Sequence, residues 1–395
     1  MAGSNTRLID LKTKFRQYFA AGPNTVVNSP GRAEIIGNHT DYNLGYALGC
    51  AISPSTLGLF KKRTDRKIRI KTTLPGLENQ LVEFNLDKIY QDKKIKWGNY
   101  ARGVTNELLK LDCPLSGAEI LVDTNFPTSG GLSSSAALEL CLAYGLLALV
   151  KQPIDQSTIA HACQRAENSN LVQSPCGFLD QGVIAFAQKD KMVLLDFKPP
   201  LKTKLVRADL ANQGVSLVVA VDPTVKRILG ESGYPARRKM CAAACKILNI
   251  SSLRELSVDD FAAKKNRLEP VIGKRVKHIV YENQRVLDAV TALENNDAVK
   301  FGQLLNQSGK SALDLYELDE NTPELRLLME TAQNLEGVLG ARNMGGGFSA
   351  IILALVKDDL LISWQHQLQL KYQQKFPGRL EFVQFTPSQG IDFLY

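Results

Sequence analysis

The sequence predicts a mixed α/β protein of two domains, and three observations support this fold class. The chain has 395 residues, which suits two domains of roughly 100–200 residues each. From the N-terminus to about residue 197, strand patterns alternate with helix patterns. The proline-containing polar stretch KPPLKTK (198–204) comes next. The strand pattern VSLVVAVD (215–222) then opens a mostly helical second half. We therefore expect domains at residues 1–204 and 205–395.

Apolar periodicity and turn residues predict the individual elements. A strand pair broken at Pro30-Gly31 is expected over 25–37, and a β-hairpin turning at KDK over 182–197. Helices are expected at 97–111, from about 133, at 155–171 and at 358–374. The other expected strands are 46–53, 55–62, 67–73, 117–127, 215–222, 349–356 and 380–388.

Composition is that of a globular protein with a sizeable core, because 44% of the residues are hydrophobic and 22% are charged. The N-terminal residues lack the long apolar run of a secretory signal, and the apolar stretch 136–150 is too short to span a bilayer. The seven cysteines are odd in number, and most lie in apolar surroundings. This pattern indicates free thiols in a reducing compartment, and we expect a cytoplasmic protein without a membrane partner.

The net charge of +8 raises the question of a nucleic-acid partner. Lys and Arg are dispersed, however, and the short basic run at 59–71 is not accompanied by a nucleic-acid-binding motif. We therefore interpret the charge as solvated faces together with one site for an anionic small molecule, and we expect no nucleic-acid partner.

The strongest single feature is the loop PTSGGLSSSAALEL (127–140), which follows a strand and leads into a helix. Glycines allow close backbone approach, and free N–H groups at a helix N-terminus attract a phosphate. Serine hydroxyls can donate to phosphate or coordinate Mg²⁺. The alternative is a serine N-cap after a flexible loop. The stretch SGKS (308–311) is not a phosphate loop, because Leu304 stands where that motif needs glycine.

Two further segments carry unusual chemistry. The stretch EIIGNHTDYN (34–43) gathers hydrogen-bonding side chains between two apolar runs. The second, NMGGGF (343–348), places three glycines before a buried strand, which implies close approach of the backbone to another group. A tight turn is the simpler explanation for the glycines taken alone.

Together these segments resemble the three motifs of GHMP small-molecule kinases, in the same order along the chain. SPGRAEIIGNHTDYN (29–43) is similar to the galactokinase signature, and AENSNLVQSPCGFLDQ (166–181) and SGYPARRKMC (232–241) support the resemblance. The resemblance covers essentially the whole chain. It implies an α+β fold with an N-terminal domain like ribosomal protein S5 domain 2, a ferredoxin-like C-terminal domain and an active site between them.

The resemblance also implies a reaction and a set of site residues. The γ-phosphoryl group of ATP would pass to the anomeric hydroxyl of a galactose-like sugar, with Mg²⁺. Arg32 and Asp180 match the catalytic pair, and Ser134 and Glu167 match the metal ligands. Matches to sugar-binding positions are Asn38, His39, Asp41, Gly177 and Tyr234. Matches to ATP-binding positions are Trp97, Gly130, Gly131, Leu132, Ser133, Ser134, Ser135 and Gly346.

These residue types suit phosphoryl transfer, which needs positioning and charge neutralisation more than covalent help. Asp180 could take the proton of the sugar hydroxyl, and Arg32 nearby would keep Asp180 ionised. Asp41 is expected to bind two adjacent sugar hydroxyls, because a carboxylate accepts bidentately. His39 could be a ligand or a structural histidine, and an aspartate in the position of Asp180 could also be a helix cap.

Three departures from the family pattern leave the sugar open. Asn38 replaces a glutamate that the family assigns to the C6 end of the sugar, so a C6-modified sugar such as galacturonate is an alternative to galactose. Ser349 and Ala350 follow the third glycine motif where glycines are common. The segment 222–229, with Asp222 and Lys226, replaces one that usually carries Asn-Ser and a histidine.

Other classes of function are also considered. A non-catalytic sugar and ATP sensor would lack the serine run or the catalytic pair, and this chain keeps Ser135-Ala136, Arg32 and Asp180. A kinase for a non-sugar alcohol such as mevalonate or homoserine would not need HTDYN and SGYPARR. We expect a monomer, with a homodimer as the alternative.

Overall fold

The computed structural model describes residues 2–127, 131–225 and 233–394. Within these ranges the chain forms twelve strands and eleven α-helices. The strands are β1 (Thr25–Ile36), β2 (Tyr46–Lys62), β3 (Lys67–Thr72), β4 (Val82–Asn85), β5 (Ala118–Thr124), β6 (Lys191–Asp196), β7 (Lys202–Arg207), β8 (Val215–Val221), β9 (Val338–Asn343), β10 (Ile351–Lys357), β11 (Glu381–Phe385) and β12 (Asp392–Phe393).

The helices of the first half surround its sheet, and those of the second half lie mainly between β8 and β9. They are α1 (Ala2–Phe19), α2 (Gly98–Leu109), α3 (Ser134–Leu149), α4 (Gln156–Asn168), α5 (Leu179–Phe186), α6 (Tyr234–Leu248), α7 (Val258–Lys264), α8 (Pro270–Glu294), α9 (Ala298–Asp314), α10 (Pro323–Gln333) and α11 (Leu361–Gln373).

An eight-stranded sheet contains the first seven strands and β12. Its main path is β12-β1-β2-β5-β3-β4, and β6 and β7 extend from the first part of β2. The expected break at Pro30-Gly31 is wrong, because β1 continues through it as one strand. Pro30 pairs with Ser55 and Gly31 with Ile52, so the partner strand β2 accommodates the irregularity as a bulge.

A four-stranded antiparallel sheet, β11-β8-β10-β9, forms the second half. Strand β8 is buried along its whole length because both faces of this sheet are covered. One face packs against α8 and α9, and the other packs against α10 and α11. This double burial explains why the sequences of β8 and β10 are continuous apolar runs.

The two halves share one apolar core. Ile35 of β1 and Leu48 of β2 pack in the same cluster as Val219 of β8, Leu353 of β10 and Phe301 of α9. Full burial of each such side chain contributes about 1.5–3 kcal/mol relative to exposure. The loop after the C-terminal end of β1 therefore meets the glycine loop before the N-terminal end of β10, and His39 Nε2 lies 3.2 Å from the Gly346 carbonyl there.

The hairpin expected over 182–197 is wrong. Its first part belongs to helix α5, and its second part is β6, which pairs with β7. Helix α5 packs against α3, α4 and the first sheet, so Val183, Ile184 and Ala185 are all buried. Because the helix is apolar on nearly every side, its sequence lacks the helical periodicity that distinguishes helix from strand.

The expected division between residues 204 and 205 falls inside β7, a strand of the first sheet. The chain passes to the second sheet between β7 and β8, and β12 later returns to pair with β1 through Val27 and Phe393. The exact domain boundary stays a prediction. No helix in the described part of the chain is long and apolar enough to cross a membrane.

Candidate active site

A cavity of about 410 Å³ opens where β1, the N-terminus of α3, the start of α5 and the glycine loop before β10 meet. Residues from all of the sequence motifs line it, although they are far apart in the chain. The predicted site residues in its lining are Arg32, His39, Asp41, Gly131, Ser133, Ser134, Ser135, Glu167, Gly177, Asp180, Tyr234 and Gly346.

Arg32 and Asp180 form an ion pair in this cavity. Arg32 belongs to β1, and Asp180 lies in the first turn of α5. The Arg32 Nε atom donates to Asp180 Oδ1 at 2.8 Å, and Nη2 lies 2.7 Å from the same oxygen. Arg32 Nη1 donates to the carbonyl of Gly131 at 2.8 Å, so the guanidinium joins the aspartate to the serine-rich loop.

The described part of the serine-rich loop approaches the cavity through left-handed backbone. Gly131 has φ +79°, and an added Cβ would lie 2.6 Å from the Ile351 side chain. Ser133 has φ 59° at the N-cap of α3, and its hydroxyl donates to Asp180 Oδ2. Both carboxylate oxygens of Asp180 therefore accept hydrogen bonds, one from Arg32 and one from Ser133.

The loop after β1 is held in shape by its own polar groups. Gly37 has φ +111°, and His39 has φ 62°. The Thr40 hydroxyl lies 2.7 Å from the Gly37 carbonyl and 2.6 Å from the Tyr46 carbonyl, and Asn43 Nδ2 donates to the His39 carbonyl at 2.9 Å. These bonds explain why the stretch 34–43 contains so many hydrogen-bonding side chains: some hold the loop in shape, and others face the cavity.

Asp41 faces the cavity and lies against Gly177. An added Cβ on Gly177 would be 1.8 Å from Asp41 Oδ2, so only glycine fits opposite this carboxylate. Burial raises the pKa of Asp41 to about 6, and the nearby carboxylates Glu34 and Asp180 add to the rise. The Tyr42 amide and Arg238 act in the opposite direction.

His39 is fixed by two hydrogen bonds. Its Nε2 lies 3.2 Å from the Gly346 carbonyl, and its Nδ1 lies 2.9 Å from the Tyr42 hydroxyl. A carbonyl only accepts, so Nε2 carries the proton and Nδ1 accepts from Tyr42. The Tyr42 hydroxyl is also 2.9 Å from that of Tyr316, which ties the loop to the second half of the chain.

Asn38 occupies a different position from its neighbours. Its side chain is fully buried, and Nδ2 donates to the Gly345 carbonyl. The Oδ1 atom is buried and has no hydrogen-bond partner among the described residues, and the Asn38 carbonyl lies 3.4 Å from His278 Nε2. Asn38 does not appear among the described residues that line the cavity, so it joins the loop to the third glycine motif instead.

Tyr234 begins α6 and packs beside the sugar-signature loop, residues 37–45, which follows β1. Its ring centroid lies 5.3 Å from that of His39 and 5.6 Å from that of Tyr42. The preceding segment 226–232 lies outside the described residues. Tyr234 therefore forms a wall of the cavity next to Asp41 and Gly177.

Glu167 lies at the end of α4 near the serine-rich loop. Gln181 Nε2 donates to Glu167 Oε2 at 2.8 Å and to Glu139 Oε2 at 3.1 Å. Burial raises the pKa of Glu167, and the negative charge of Asp180 adds to this effect. Ser134 and Glu167 both line the cavity, so a hydroxyl and a carboxylate are available together there.

Two predicted ATP-binding residues, Leu132 and Trp97, lie elsewhere in the described structure. Leu132 is buried in the shared apolar core, although its carbonyl accepts the Arg32 amide at 3.2 Å. Trp97 lies at the start of α2, and its Nε1 donates to Gln80 Oε1 at 2.9 Å. Neither belongs to the described lining of the cavity, and Gly130 lies outside the described residues.

The second and third departures in sequence also have a structural position. Asp222 is buried and accepts the Tyr372 hydroxyl at 2.8 Å, away from the described cavity lining, whereas Lys226 lies outside the described residues. Ala350 is fully buried, and its carbonyl accepts the Asp222 amide at 2.9 Å.

Sequence reasoning missed Glu34, which lines the cavity two positions after Arg32. Alternate residues of a strand face the same side, so this spacing was a usable signal. Glu34 Oε1 accepts from Arg342 Nη1 at 3.3 Å and from Nη2 at 3.2 Å. Arg342 belongs to β9, so no local pattern could have indicated its part in the site.

Comparisons with protein families define the class of protein. The model for the GHMP kinases N terminal domain matches residues 99–188, and the model for GHMP kinases C terminal matches residues 289–369. The galactokinase galactose-binding signature matches residues 13–62. These matches and the cavity between the two sheets identify a GHMP kinase and confirm the predicted two-domain α/β fold.

Comparison with solved structures gives the particular family. The structure of Lactococcus lactis galactokinase complexed with galactose is 33% identical, covers 98% of this chain and 100% of its own, and gives a TM-score of 0.91. This chain belongs to the galactokinase family of GHMP kinases and is an ATP-dependent sugar kinase.

More distant structures share the fold alone. The Methanococcus jannaschii mevalonate kinase is 16% identical over 92% of this chain and 98% of its own, with a TM-score of 0.61. A D-glycero-D-manno-heptose 1-phosphate kinase from Bacteriodes thetaiotaomicron is 13% identical over 94% of this chain and 99% of its own, with a TM-score of 0.60.

Proposed function

We propose that this protein transfers the γ-phosphoryl group of ATP to the anomeric hydroxyl of galactose, giving galactose 1-phosphate. The main support is the position of Asp180. Its carboxylate lines the cavity between the Arg32 guanidinium and the Ser133 hydroxyl, at the N-terminus of α3. A base therefore stands beside the place where a phosphate is most easily held.

The sugar would occupy the side of the cavity formed by Asp41, Gly177, His39 and Tyr234. The lack of a side chain at Gly177 leaves Asp41 Oδ2 close to the backbone there. Asp41 would accept hydrogen bonds from two adjacent hydroxyls, and Tyr234 would pack against the sugar ring. The galactose in the related Lactococcus lactis structure and the matched galactose-binding signature favour this sugar.

The phosphates of ATP would lie at the first turn of α3. Ser133, Ser134 and Ser135 line the cavity there, and Gly131 lets the backbone approach. The unpaired N–H groups of this turn and the helix dipole favour negative charge. Gly346 lines the opposite wall. Contacts of Gly130 and Leu132 with phosphate, and of Trp97 near the adenine, stay predictions.

The donor set fits Mg²⁺. Glu167 and Ser134 supply oxygen ligands, and Mg²⁺ is commonly held by one or two carboxylates together with substrate phosphates. Among the described residues, no group of three or more acidic, histidine or cysteine side chains is placed to hold a metal ion. The raised pKa of buried Glu167 also indicates a carboxylate that a nearby cation would stabilise. When bound, Mg²⁺ neutralises charge on the transferring phosphate.

In the proposed reaction, Asp180 accepts the proton of the anomeric hydroxyl, and the oxygen of that hydroxyl bonds to the γ-phosphorus. The bond from that phosphorus to the β-bridging oxygen breaks, and ADP leaves with the electron pair. Arg32 orients Asp180 and offsets negative charge that gathers on the phosphoryl oxygens. Asp180 later returns its proton to water.

A Mg-ATP kinase assay with galactose tests this function. Release of ADP is measured together with a ³¹P spectrum of the product, and Asp180→Asn is the matched control. We expect galactose 1-phosphate from the wild type and a loss of at least ~10²-fold in kcat in the variant, with galactose binding retained. Binding of galactose and ATP without turnover would indicate a sensor instead.

A sugar altered at C6, such as galacturonate, is the alternative substrate suggested by Asn38. The same assay with galacturonate, glucose, arabinose and N-acetylgalactosamine separates these sugars. A higher kcat/KM for galacturonate than for galactose would replace the proposed substrate and leave the reaction type unchanged.

A further inference from the structure

The acidic side chain nearest to Arg32 along β1 faces the cavity, whereas its basic partner lies behind it. Glu34 lines the cavity, and its Oε1 accepts from both terminal nitrogens of Arg342. Arg342 is fully buried, and its Nη1 also donates to the Ile35 carbonyl at 3.0 Å. The carboxylate end of this ion pair is therefore the end that a substrate meets.

Asn38, at which the sequence suggested selection for the C6 group, has the opposite arrangement. Its amide is fully buried and donates to the Gly345 carbonyl. It is absent from the described lining of the cavity. With asparagine at position 38, the described wall still contains a carboxyl group, because Glu34 of β1 lines the cavity.

Carboxyl groups outnumber basic groups in the described lining, although burial raises the pKa of Glu34 and the guanidinium groups of Arg342 and Arg32 oppose that rise. Four carboxylates face the cavity, those of Glu34, Asp41, Glu167 and Asp180, and Arg32 is the one lysine or arginine among the described lining residues. That guanidinium is already paired with Asp180 at 2.7 Å. Glu34 and Asp180 lie close enough to Asp41 to make its ionisation harder. A neutral polyol suits this surface, and an additional carboxylate does not.

We propose that Glu34 is a specificity-determining residue of the sugar site. Its carboxylate keeps the sugar side of the cavity negative, so neutral galactose-like sugars are accepted and uronic acids are excluded. Specificity here comes from a repulsive element rather than from a new attractive contact. This inference rests on the proposed function, because it assumes that a sugar occupies the cavity.

The first test needs no variant. The wild-type protein is assayed with galactose, galacturonate and galacturonamide, the neutral amide that is nearly isosteric with the acid. Like charges within a partly buried site repel strongly, so we expect kcat/KM for the amide to exceed that for the acid by at least ~10-fold. Equal use of acid and amide, with galactose turned over, would overturn this proposal alone.

The second test assigns the effect to Glu34. In Glu34→Gln the amide still accepts from Arg342 but carries no charge, and we expect the preference for amide over acid to fall by ~10-fold. Glu119→Gln is the matched control, since Glu119 is also a buried partner of an arginine, 2.9 Å from Arg63, and does not line the cavity. Its preference should be unchanged.

Three outcomes separate the alternatives. If Asn38→Ala changes the preference and Glu34→Gln does not, Asn38 selects the sugar and the proposal fails. If Glu34→Gln does not fold, Glu34→Asn, which also removes the charge, takes its place in the same comparison of acid and amide. Absence of turnover with galactose and every other sugar overturns the proposed function, and this inference falls with it.

Discussion

The Oδ2 atom of Asp41 lies so close to the α-carbon of Gly177 that a Cβ there would stand 1.8 Å from it. Asp41 follows β1, and Gly177 precedes α5, so the two residues are far apart in the chain. Their contact explains why glycine occurs at position 177: the carboxylate needs the space that any side chain would fill. This relationship places Asp41, the proposed acceptor for the sugar, beside the element that carries Asp180.

Gly177→Ala should displace the Asp41 carboxylate. Because only Asp41 must move, we expect KM for the sugar to rise by ~10-fold or more while KM for ATP changes little. Gly22→Ala is the matched control, since a Cβ at Gly22 has its nearest neighbour at 3.9 Å. An unchanged sugar KM in Gly177→Ala would argue against the role of Asp41.

The pKa of Asp41 predicts the pH dependence of sugar binding. Burial raises it to about 6, so protonation below that pH removes an acceptor. We expect KM for the sugar to rise as the pH falls from about 7 to about 5, and Asp41→Asn to bind sugar weakly at every pH. A flat profile of sugar KM in the wild type would contradict this assignment.

The same pKa has an effect of opposite sign on stability. The folded pKa exceeds the ordinary value of 3.8, so the folded state favours the protonated form and loses stability as the pH rises from about 4 to above 6. Asp41→Asn should therefore raise the Tm at about pH 8 and have little effect near pH 4. Thermal unfolding at both pH values, with wild type as the reference, measures the difference. A Tm gain of equal size at both would be inconsistent with a raised pKa.

Ser133 positions Asp180. Its hydroxyl donates to Asp180 Oδ2, so Ser133→Ala leaves Arg32 as the remaining side-chain donor in the described structure. We expect kcat to fall by ~10-fold and sugar KM to change by less than ~3-fold, because orientation of the base affects the chemical step. Ser363→Ala, at an exposed serine of α11, is the control. A change confined to sugar KM would place Ser133 in sugar binding instead.

Glu282 of α8 supports the sugar-signature loop from the second half of the chain. It accepts the Gly37 amide at 3.1 Å, the Ser308 hydroxyl at 2.6 Å and Arg285 Nε at 2.8 Å. Burial opposes its ionisation, but Arg285, His278 and Arg342 outweigh burial and lower its pKa to about 2. It is therefore a buried carboxylate that remains charged at neutral pH.

Glu282→Ala leaves these partners unpaired in the interior. We expect the free energy of unfolding to fall by ~3–5 kcal/mol, measured by denaturant unfolding. Glu294→Ala at the end of the same helix is the control, because its ion pair with Lys204 is half-exposed and should contribute ~0–1 kcal/mol. Equal effects of the two substitutions would rule out a special role for the buried carboxylate.

Local signals in the sequence predicted several elements well. The start of α3 within the serine run, the apolar strands β8 and β10 and the helix α2 were confirmed with boundaries within a few residues. The stretch SGKS at 308–311 lies inside α9, as expected for a segment that is not a phosphate loop. These features depend on neighbours in sequence, through turn chemistry, helix starts and apolar runs.

Packing overrode local pattern elsewhere. Helix α5 was taken for half of a hairpin because its apolar residues are buried on nearly every side. The short strand β9 was not predicted at all, although it supplies Arg342. Strand β9 is stabilised by its contacts with β10 and α9, which lie beside it in space. A short sequence segment does not indicate which elements will become its neighbours.

The sequence by itself determined the family and the order of the motifs, and it supplied the candidate site residues, because each motif is a contiguous run whose backbone requirements and functional groups are local. Only the tertiary structure decided which of these side chains reach the cavity. Arg32 meets Asp180 across 148 positions and Glu34 meets Arg342 across 308. Glu34 lines the cavity two positions after Arg32 on β1, which the period of a strand could have indicated. Asn38 turns away from the cavity because it contacts Gly345 and His278, which lie far along the chain, and such contacts leave no periodic pattern in the sequence.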